Sequence, residues 1–387
     1  MSFSIKNKKS IKFGKLINSH GLYNNGYLLI KNGIIQGIYD ENNQDYDLID
    51  YSGKIITPGF IDIHTHGYYG IDSMDSNEND IHYWAKRITE NGVTSFIPTA
   101  VSAPFDGMKN FLDKIGNAMK TQKNNESRIL GARFEGPYIS INKKGAHNIN
   151  FIRNINMNEI NELSYNYNNI LRIIDIAPEL ENFYQAFNTL AKSNIMVSAG
   201  HTDADFTTAY NSFKKGIKLV THFYNAMSPF SHRDPGMVGA GFLSRNVFLE
   251  LITDMHHVSR EAIEVIINQV GLSRIILITD SLSIGNSGKN SGILGGLGID
   301  LKDGVACIRG TNTIAGSILT LDRALKNLLS MGIKIEDVIQ SMTSVPANLL
   351  GINSGDILPG RNADLCILDN DFNVYSTIIN GETAYKK

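Results

Sequence analysis

The chain has 387 residues and a formal net charge of −2, with 42% hydrophobic and 19% charged residues. The length allows one large and one small domain, and the composition is typical of a globular protein. The small net charge argues against a nucleic acid or an anionic membrane as partner. Cys307 and Cys366 are too few for a disulfide framework, and residues 1–10 lack the apolar core of a signal peptide. We therefore expect a cytoplasmic protein.

Both ends of the chain have the pattern of short β-strands, with apolar and β-branched runs separated by Asn/Gly turns. The predicted strands are residues 10–16, 27–30, 34–39, 363–368 and 374–379. Because these similar ends flank a different middle, we predict that residues 1–57 and 355–387 together form a small β-sandwich domain.

The middle of the chain alternates between apolar strand-like runs and amphipathic helical stretches, such as residues 81–91, 183–193 and 260–270. The predicted strands are residues 59–63, 94–99, 129–134, 171–176, 195–199, 218–221, 248–253 and 275–279. This pattern is typical of a parallel sheet covered on both faces, and it predicts a (β/α)8 TIM-type barrel over residues 58–354. An open doubly wound sheet is the alternative, which the lack of a Gly-x-Gly-x-x-Gly after the first strand disfavours.

The first of these runs ends in His64 and His66. Residues two apart in an extended strand project to the same face, so both imidazoles can bind one cation. Neutral imidazole is the commonest protein ligand of catalytic transition metals. Many such pairs are surface residues, so the interpretation depends on which side chains lie at the ends of the other strands.

Metal-competent side chains follow five other predicted strands. They are Glu135, His201, His222, the group Asp254, His256 and His257, and Asp280. Since TIM-barrel enzymes carry their active sites at the carboxyl ends of the strands, this placement predicts a metal site there. Glu135 can bind one metal or bridge two, and Asp280 can take a proton from an activated water and deliver it to a leaving nitrogen. Taken singly, each residue could instead be a capping or surface group.

Nine segments carry a resemblance that extends over essentially the whole chain. They are residues 58–67, 135–137, 143–147, 199–202, 221–227, 234–236, 278–280, 313–317 and 355–365. Together they resemble the N-acetylglucosamine-6-phosphate deacetylase family of the amidohydrolase superfamily. The histidine pair of the first segment and the whole last segment are shared across the superfamily, whereas residues 144–147, 223–227 and 314–317 narrow the resemblance to this family.

The resemblance implies Glu135, His201 and His222 as the primary metal ligands. Some family members replace the first histidine pair and hold one metal, but this chain keeps that pair, which allows a second metal bridged by Glu135. Many other members of the superfamily use a carboxylated lysine after the fourth strand as the bridge, and residues 176–179 contain no lysine. Imidazole and carboxylate ligands suit one or two Zn, Fe, Co or Mn ions.

The resemblance also implies a set of substrate-binding residues. They are Ala146, His147, Asn225, Ala226, Arg233, His257, Ile314, Ala315 and Gly316. His147 would contact the sugar, and Arg233 and His257 would hold a phosphate, to which arginine offers paired donors. Arg233 could instead be a solvated surface charge and His147 a loop histidine. His257 is preferred to its neighbour His256 because of its place before Val258.

Two positions depart from the family pattern. Met255 stands where the family usually has glycine, and Asp234 stands where glutamate is common. Either change could adjust the pocket, and neither falls on a predicted metal ligand or on Asp280.

The predicted reaction is hydrolysis of the acetamide of N-acetyl-D-glucosamine 6-phosphate by a metal-activated water, with Asp280 as general base and acid, in amino-sugar catabolism. The alternatives are a deacetylase of N-acetylgalactosamine 6-phosphate or another amide hydrolase of the superfamily. A sugar-phosphate-binding scaffold without activity is a rival from another class, and the presence of the metal ligands and Asp280 disfavours it. The resemblance further implies a homodimer.

Overall fold

A computed structural model describes residues 8–387. Residues 1–7 lie outside this range. They include the first seven residues of the predicted β-sandwich domain and most of the segment, residues 1–10, that was expected not to be a signal peptide. Among the described residues, no helix has the length and apolar character needed to cross a membrane. Cys307 and Cys366 are both buried and are not joined in a disulfide.

In the described part of the chain, eight parallel strands surround the main core. They are Phe60–Thr65, Val93–Ala100, Ala132–Phe134, Leu171–Asp175, Met196–Ala199, Leu219–Val220, Phe248–Leu251 and Ile275–Leu277. Neighbours in the sheet follow the chain order, and a short segment, Arg128–Ile129, pairs beside the second strand. The last strand approaches the first, where the Asp280 N–H donates to the His64 carbonyl at 2.9 Å. The predicted TIM-type barrel is therefore confirmed, and the open-sheet alternative is wrong.

Helices alternate with the strands and pack their apolar faces on the barrel. The α-helices of the described residues are Glu78–Arg87, Phe105–Thr121, Met157–Asn166, Phe183–Lys192, Phe206–Lys215, Gly236–Leu243, Arg260–Val270, Leu321–Ser330, Ile335–Ser341 and Ser344–Leu350, and the 3-10 helices are Ile88–Asn91, Ile141–Lys143, Ile149–Phe151 and Leu272–Arg274. In the helix that begins at Arg260, Ile263 and Ile266 are buried. The Ser259 hydroxyl caps the start of this helix by accepting from the Ala262 N–H, which satisfies one of its free donors.

Strands from both ends of the chain form one seven-stranded sheet within residues 8–387. They are Lys8–Asn18, Gly21–Lys31, Ile34–Tyr39, Asp47–Pro58, Leu365–Leu368, Val374–Ile379 and Glu382–Lys386. The separate core of this sheet includes Phe13, Leu28 and Ile367, so the expected sheet domain built from both termini is present. Its limits, residues 1–57 with 355–387 against 58–354, stay a prediction.

A small antiparallel sheet follows the last barrel strand. It comprises Ser291–Leu294, Leu297–Lys302 and Val305–Ile308, and a shorter pair of strands, Gly67–Tyr68 and Ile71–Asp72, lies after the first barrel strand. Leu294 of the small sheet packs in a satellite core with Leu282 and Ala315. This core holds residues 291–308 beside the carboxyl ends of the barrel strands, where the sequence predicts the site.

Candidate active site

Glu135 follows the third barrel strand directly and lies at the centre of the candidate site. Its Oε1 atom is 3.0 Å from Nε2 of His201 and 2.9 Å from Nε2 of His222. The two Nε2 atoms are 3.0 Å from each other. The three predicted primary ligands therefore point their donor atoms at one place, although they come from three different strands.

His64, His66 and Asp280 form a second group that also contacts Glu135. Nε2 of His66 is 3.2 Å from Glu135 Oε2 and 3.1 Å from Asp280 Oδ1. Nε2 of His64 is 3.7 Å from Glu135 Oε1 and 3.5 Å from Asp280 Oδ1. Donor atoms of His64, His66 and Asp280 all lie within 4.8 Å of one another. Glu135 therefore touches both groups, which is the arrangement required of a bridging carboxylate.

The backbone is in the left-handed region at three of these positions. The φ angles are 48° at His201, 29° at His222 and 48° at Asp280. Non-glycine residues seldom adopt such angles, and they do so mainly where surrounding contacts impose them. At Asp280 those contacts are main-chain hydrogen bonds to His64 and Ser317. The chain accepts local strain at the strand ends that aim these side chains into the site.

Main-chain carbonyls fix the tautomers of two imidazoles. Nδ1 of His66 is 3.1 Å from the Thr99 carbonyl, and Nδ1 of His201 is 2.7 Å from the Lys143 carbonyl. A carbonyl oxygen can only accept, so both Nδ1 atoms carry a proton. In the neutral ring each Nε2 then keeps a lone pair directed at Glu135, which is the form that binds a metal.

His147 has the opposite tautomer. Its Nδ1 accepts a hydrogen bond from the Ser102 N–H at 3.2 Å, so in the neutral ring Nε2 carries the proton. That Nε2 atom lies 3.3 Å from Glu135 Oε2. Burial and the neighbouring His201 lower the pKa of His147 to about 4, so the ring is neutral at ordinary pH. His147 therefore offers an N–H donor rather than a metal-binding lone pair, although it is grouped closely with Glu135 and His201.

The two carboxylates of the site are ionised despite their burial. Burial by itself would raise the pKa of Asp280, but His64 and His66 outweigh it and lower the pKa to about 2. Burial likewise opposes the charge of Glu135, while the imidazoles of His147 and His201 hold its pKa well below the usual range. At neutral pH the site therefore contains two buried negative charges.

These groups lie at the wall of a cavity of about 310 Å³. The predicted substrate-binding residues that line it are Ala146, His147, Asn225, Ala226, His257, Ile314 and Gly316. His257 donates from Nδ1 to Asp254 at 2.7 Å, whereas the neighbouring His256 is exposed, which agrees with the preference for His257. Ala315 is fully buried behind the cavity wall.

Arg233 is the predicted phosphate contact that this arrangement does not bring to the cavity. It is exposed, in the same loop as Asp234, and is not among the described residues that line the cavity. Its role as a phosphate ligand stays a prediction. The exposed position is the one expected if Arg233 is a surface charge.

Sequence reasoning missed several residues of the cavity wall. They are Val101, Asn142, Lys143, Gly145, Leu294 and Thr313. Among the described residues that line the cavity, Lys143 is the one lysine or arginine, and its ammonium group lies 3.4 Å from Asp203 Oδ1. The available signal for Lys143 was its place at the start of the matching segment 143–147, directly before the family-specific residues 144–147. Nothing in the sequence pointed to Leu294, which reaches the cavity from the small antiparallel sheet.

Comparison with known proteins places this geometry in a family. The model of the amidohydrolase family matches residues 55–384. This chain belongs to the amidohydrolase family. The resemblance to this group of metal-dependent enzymes that the sequence segments suggested is thereby confirmed.

Individual relatives match over nearly their full lengths. The chain is 33% identical to the N-acetylglucosamine-6-phosphate deacetylase of Vibrio furnissii, covering 92% of this chain and 89% of that protein. It is 30% identical to the N-acetylgalactosamine-6-phosphate deacetylase of Escherichia coli O157:H7, covering 96% and 97%. The crystal structure of N-acetylglucosamine-6-phosphate deacetylase from Thermotoga maritima superposes with a TM-score of 0.89 at 32% identity, covering 98% of this chain and all of that one.

The residues of the site fit the metal dependence of the family. Nε2 of His64 is buried and has no hydrogen-bond partner among the described residues, although two carboxylates lie within 3.7 Å of it. A buried nitrogen lone pair facing anionic oxygens is costly unless a proton or a cation lies between them. The donor set of imidazoles and carboxylates is one that binds divalent transition metals.

The fourth barrel strand supplies no bridging lysine, as the sequence indicated. Glu179, which follows this strand, accepts from the Thr202 hydroxyl at 2.6 Å and from the Asp203 N–H at 2.7 Å. Both oxygens of its carboxylate therefore accept hydrogen bonds from the loop after the fifth strand. Glu135 is left as the carboxylate that contacts both groups of histidines.

The structure shows the backbone conformation at Met255, one of the two departures from the family pattern. Met255 has a φ of 67°, in the left-handed region where glycine is favoured. It lies between Asp254 and the two histidines whose main-chain N–H groups the Asp254 side chain accepts. Glycine would adopt this φ without strain, whereas the Met255 side chain is partly buried against the main core. The Asp234 side chain accepts from the Gly236 N–H at 3.2 Å, and Asp234 is not among the described residues that line the cavity.

Proposed function

We propose that this protein is a metal-dependent deacetylase that hydrolyses N-acetyl-D-glucosamine 6-phosphate to D-glucosamine 6-phosphate and acetate in amino-sugar catabolism. The observation that carries the proposal is the convergence of Glu135, His201, His222 and Asp280 on one wall of a sugar-sized cavity. The name of the Vibrio furnissii relative, matched over most of both chains, supports this substrate.

Glu135, His201 and His222 would hold the first metal ion, and His64 and His66 would hold a second that shares Glu135. A divalent metal bound there lowers the pKa of a coordinated water and polarises the substrate carbonyl. The ligand types suit Zn, Fe, Co or Mn.

Two side chains would carry the proton and charge movements of the reaction. Asp280, ionised and adjoining the metal-binding imidazoles, would accept the proton of the attacking water. It would then deliver that proton to the sugar nitrogen as the C–N bond breaks. His147 would donate its Nε2 hydrogen to the carbonyl oxygen as negative charge develops there, a role its tautomer supports.

His257, Asn225 and Ala226, which line the cavity, would hold the phosphate. Lys143 also lines it and would add a positive charge, with Asp203 as its ion-pair partner in this structure. Charge-assisted hydrogen bonds to phosphate are among the stronger polar contacts in proteins. Arg233 would add a further charge if it reaches the substrate.

We also propose a homodimer in the cytoplasm. The family resemblance supports the dimer. The two buried free thiols agree with a reducing compartment.

Acetate release from three substrates tests the proposed function. The purified, metal-loaded protein should release acetate from N-acetylglucosamine 6-phosphate with a kcat/KM well above that for N-acetylgalactosamine 6-phosphate, its C4 epimer. The sugar without phosphate should be a much poorer substrate. A preference for the galactosamine epimer would favour the activity named for the Escherichia coli relative, and no acetate from any of the three would contradict the proposal.

A further inference from the structure

A cluster of three charged side chains lies inside the barrel beneath the metal-binding groups, and the proposed chemistry does not use it. Arg133, Asp175 and Glu250 are each fully buried, and they come from the third, fourth and seventh barrel strands. Arg133 forms ion pairs with both carboxylates. Buried charges are costly, so a cluster with two acids and one base calls for a reason at each position.

The two acids differ in what else they contact. Asp175 accepts from Arg133 Nη2 at 2.9 and 3.1 Å, and among the described residues it has no hydrogen bond to an imidazole. Glu250 Oε2 accepts from the same nitrogen at 3.2 Å, but it also lies 3.1 Å from His64 Nδ1. It accepts from the His222 N–H at 3.2 Å as well. Glu250 thus connects the buried cluster to the metal-binding groups, whereas Asp175 does not.

The contact decides which nitrogen of His64 is available. An ionised carboxylate at hydrogen-bond distance accepts and cannot donate, so it holds the ring proton on Nδ1. Nε2 then keeps its lone pair and faces Glu135 and Asp280 at 3.7 and 3.5 Å, with no hydrogen-bond partner among the described residues. His66 and His201 reach the same state through main-chain carbonyls, so His64 is the one of these three that depends on a side chain for it.

We propose that Glu250 is a positioning residue for the His64 side of the metal site. Its carboxylate fixes the ring orientation and the Nδ1–H tautomer of His64, and Arg133 holds that carboxylate in place. The inference rests on the proposed metal-dependent function. It predicts that Glu250 controls the affinity of the metal ion bound through His64, without itself touching metal or substrate.

The test compares Glu250→Gln with Asp175→Asn, because each removes one negative charge from Arg133 and only the first alters the contact to His64. Metal-free proteins are titrated with Co²⁺ against a competing chelator, and the cobalt absorption spectrum and the number of ions per chain are recorded. Loss of a partner behind a metal-binding histidine typically weakens affinity by about 10- to 100-fold. We expect a loss of that size for one Co²⁺ ion in Glu250→Gln, as in His64→Gln, and near-wild-type binding in Asp175→Asn.

Equal weakening in both variants, or unchanged binding in Glu250→Gln, would overturn the proposal. If Glu250→Gln does not fold, as judged by near-UV circular dichroism, the proposal is tested on the wild-type protein instead. In metal-free protein with ¹⁵N-labelled histidine, the His64 signal, assigned by its loss in His64→Gln, should show a protonated Nδ1. A protonated Nε2 with a bare Nδ1 would overturn the proposal. Wild-type protein that binds cobalt but releases no acetate would refute the proposed function and leave this comparison decisive for Glu250.

Discussion

The Nε2 atoms of His201 and His222 lie 3.0 Å apart. Because His201 donates its Nδ1 proton to the Lys143 carbonyl, its Nε2 faces His222 as a lone pair. Both nitrogens also contact one oxygen of Glu135. Buried lone pairs and carboxylate oxygens that converge in this way repel one another unless a proton or a cation lies among them. A metal ion bound here would therefore remove more repulsion than one bound elsewhere in the site.

The first prediction concerns removal of the metal. Treatment with a strong chelator should abolish acetate release and lower the midpoint of thermal unfolding. Without the metal cation between them, the converging ligand atoms repel one another and destabilise the folded protein. Adding back a divalent metal should restore both. In His222→Gln the metal content of the purified protein should fall, while the exposed His232, changed to Gln, serves as control. Chelated protein that is free of metal and keeps its full rate would contradict the account.

The barrel and the acids and histidines at its strand ends could be predicted because their signals are local. Apolar runs at barrel spacing mark the strands, and metal-competent side chains after six of the eight runs mark the site face. Ion pairs between residues that lie far apart in the chain could not be predicted from the sequence. Arg133 lies 42 residues from Asp175 and 117 from Glu250, and a single arginine in an apolar strand does not indicate its partners.

Hydrogen bonds to main-chain groups could not be predicted from the sequence either. The tautomer of His147 depends on the Ser102 N–H, and that of His201 on the Lys143 carbonyl. Any residue at position 143, and any residue except proline at position 102, provides these groups, so no sequence pattern reports them. The polar strand Asp47–Pro58 and the small sheet of residues 291–308 were also not predicted, since tertiary pairing rather than apolar periodicity forms them.

The second prediction concerns the charge at the phosphate side. Lys143→Met should raise KM for the phosphorylated sugar by about tenfold, the size expected for losing a hydrogen bond to a charged group. The poor turnover of the unphosphorylated sugar should not change. Lys144→Met is the matched control, because that lysine is next in the chain but is not among the described residues lining the cavity. Equal effects of the two variants would show that general charge, rather than contact, is responsible.

The third prediction concerns pH and stability. Burial raises the pKa of Asp62 to about 7, against 3.8 for the ordinary side chain. Between these values the unfolded chain releases the proton while the folded chain keeps it, so folding stability falls as pH rises from about 4 to about 7. Asp62→Asn stays neutral and can still accept from the Thr279 hydroxyl.

Urea unfolding at pH 5 and pH 8 measures this effect. The free energy of unfolding of Asp62→Asn relative to wild type should be higher at pH 8 than at pH 5, by on the order of 1–3 kcal/mol. The exposed Asp45, changed to Asn, should show no such dependence. A difference that is constant with pH, or that favours wild type at pH 8, would refute the burial argument.

The fourth prediction concerns the strained turn at Met255. Since its φ of 67° favours glycine, Met255→Gly should be more stable than Met255→Ala by about 1 kcal/mol, and neither variant keeps the methionine side chain. Met119, within the helix Phe105–Thr121, should give the opposite order, because alanine is the better helix former. Chemical denaturation of the four variants checks both orders. If alanine is the more stable at both positions, the turn carries no strain that glycine relieves.

In the proposed metal-dependent deacetylation, Asp280 moves the proton from the attacking water to the sugar nitrogen. The kcat for acetate release from N-acetylglucosamine 6-phosphate is measured for wild type and Asp280→Asn, with metal content determined on the same samples and Asp45→Asn as an exposed carboxylate control. Asp280→Asn should lose about 10²- to 10⁴-fold in kcat with the ion at Glu135, His201 and His222 still bound, and the control should change little. A metal-loaded Asp280→Asn that turns over at the wild-type rate would contradict this role of Asp280.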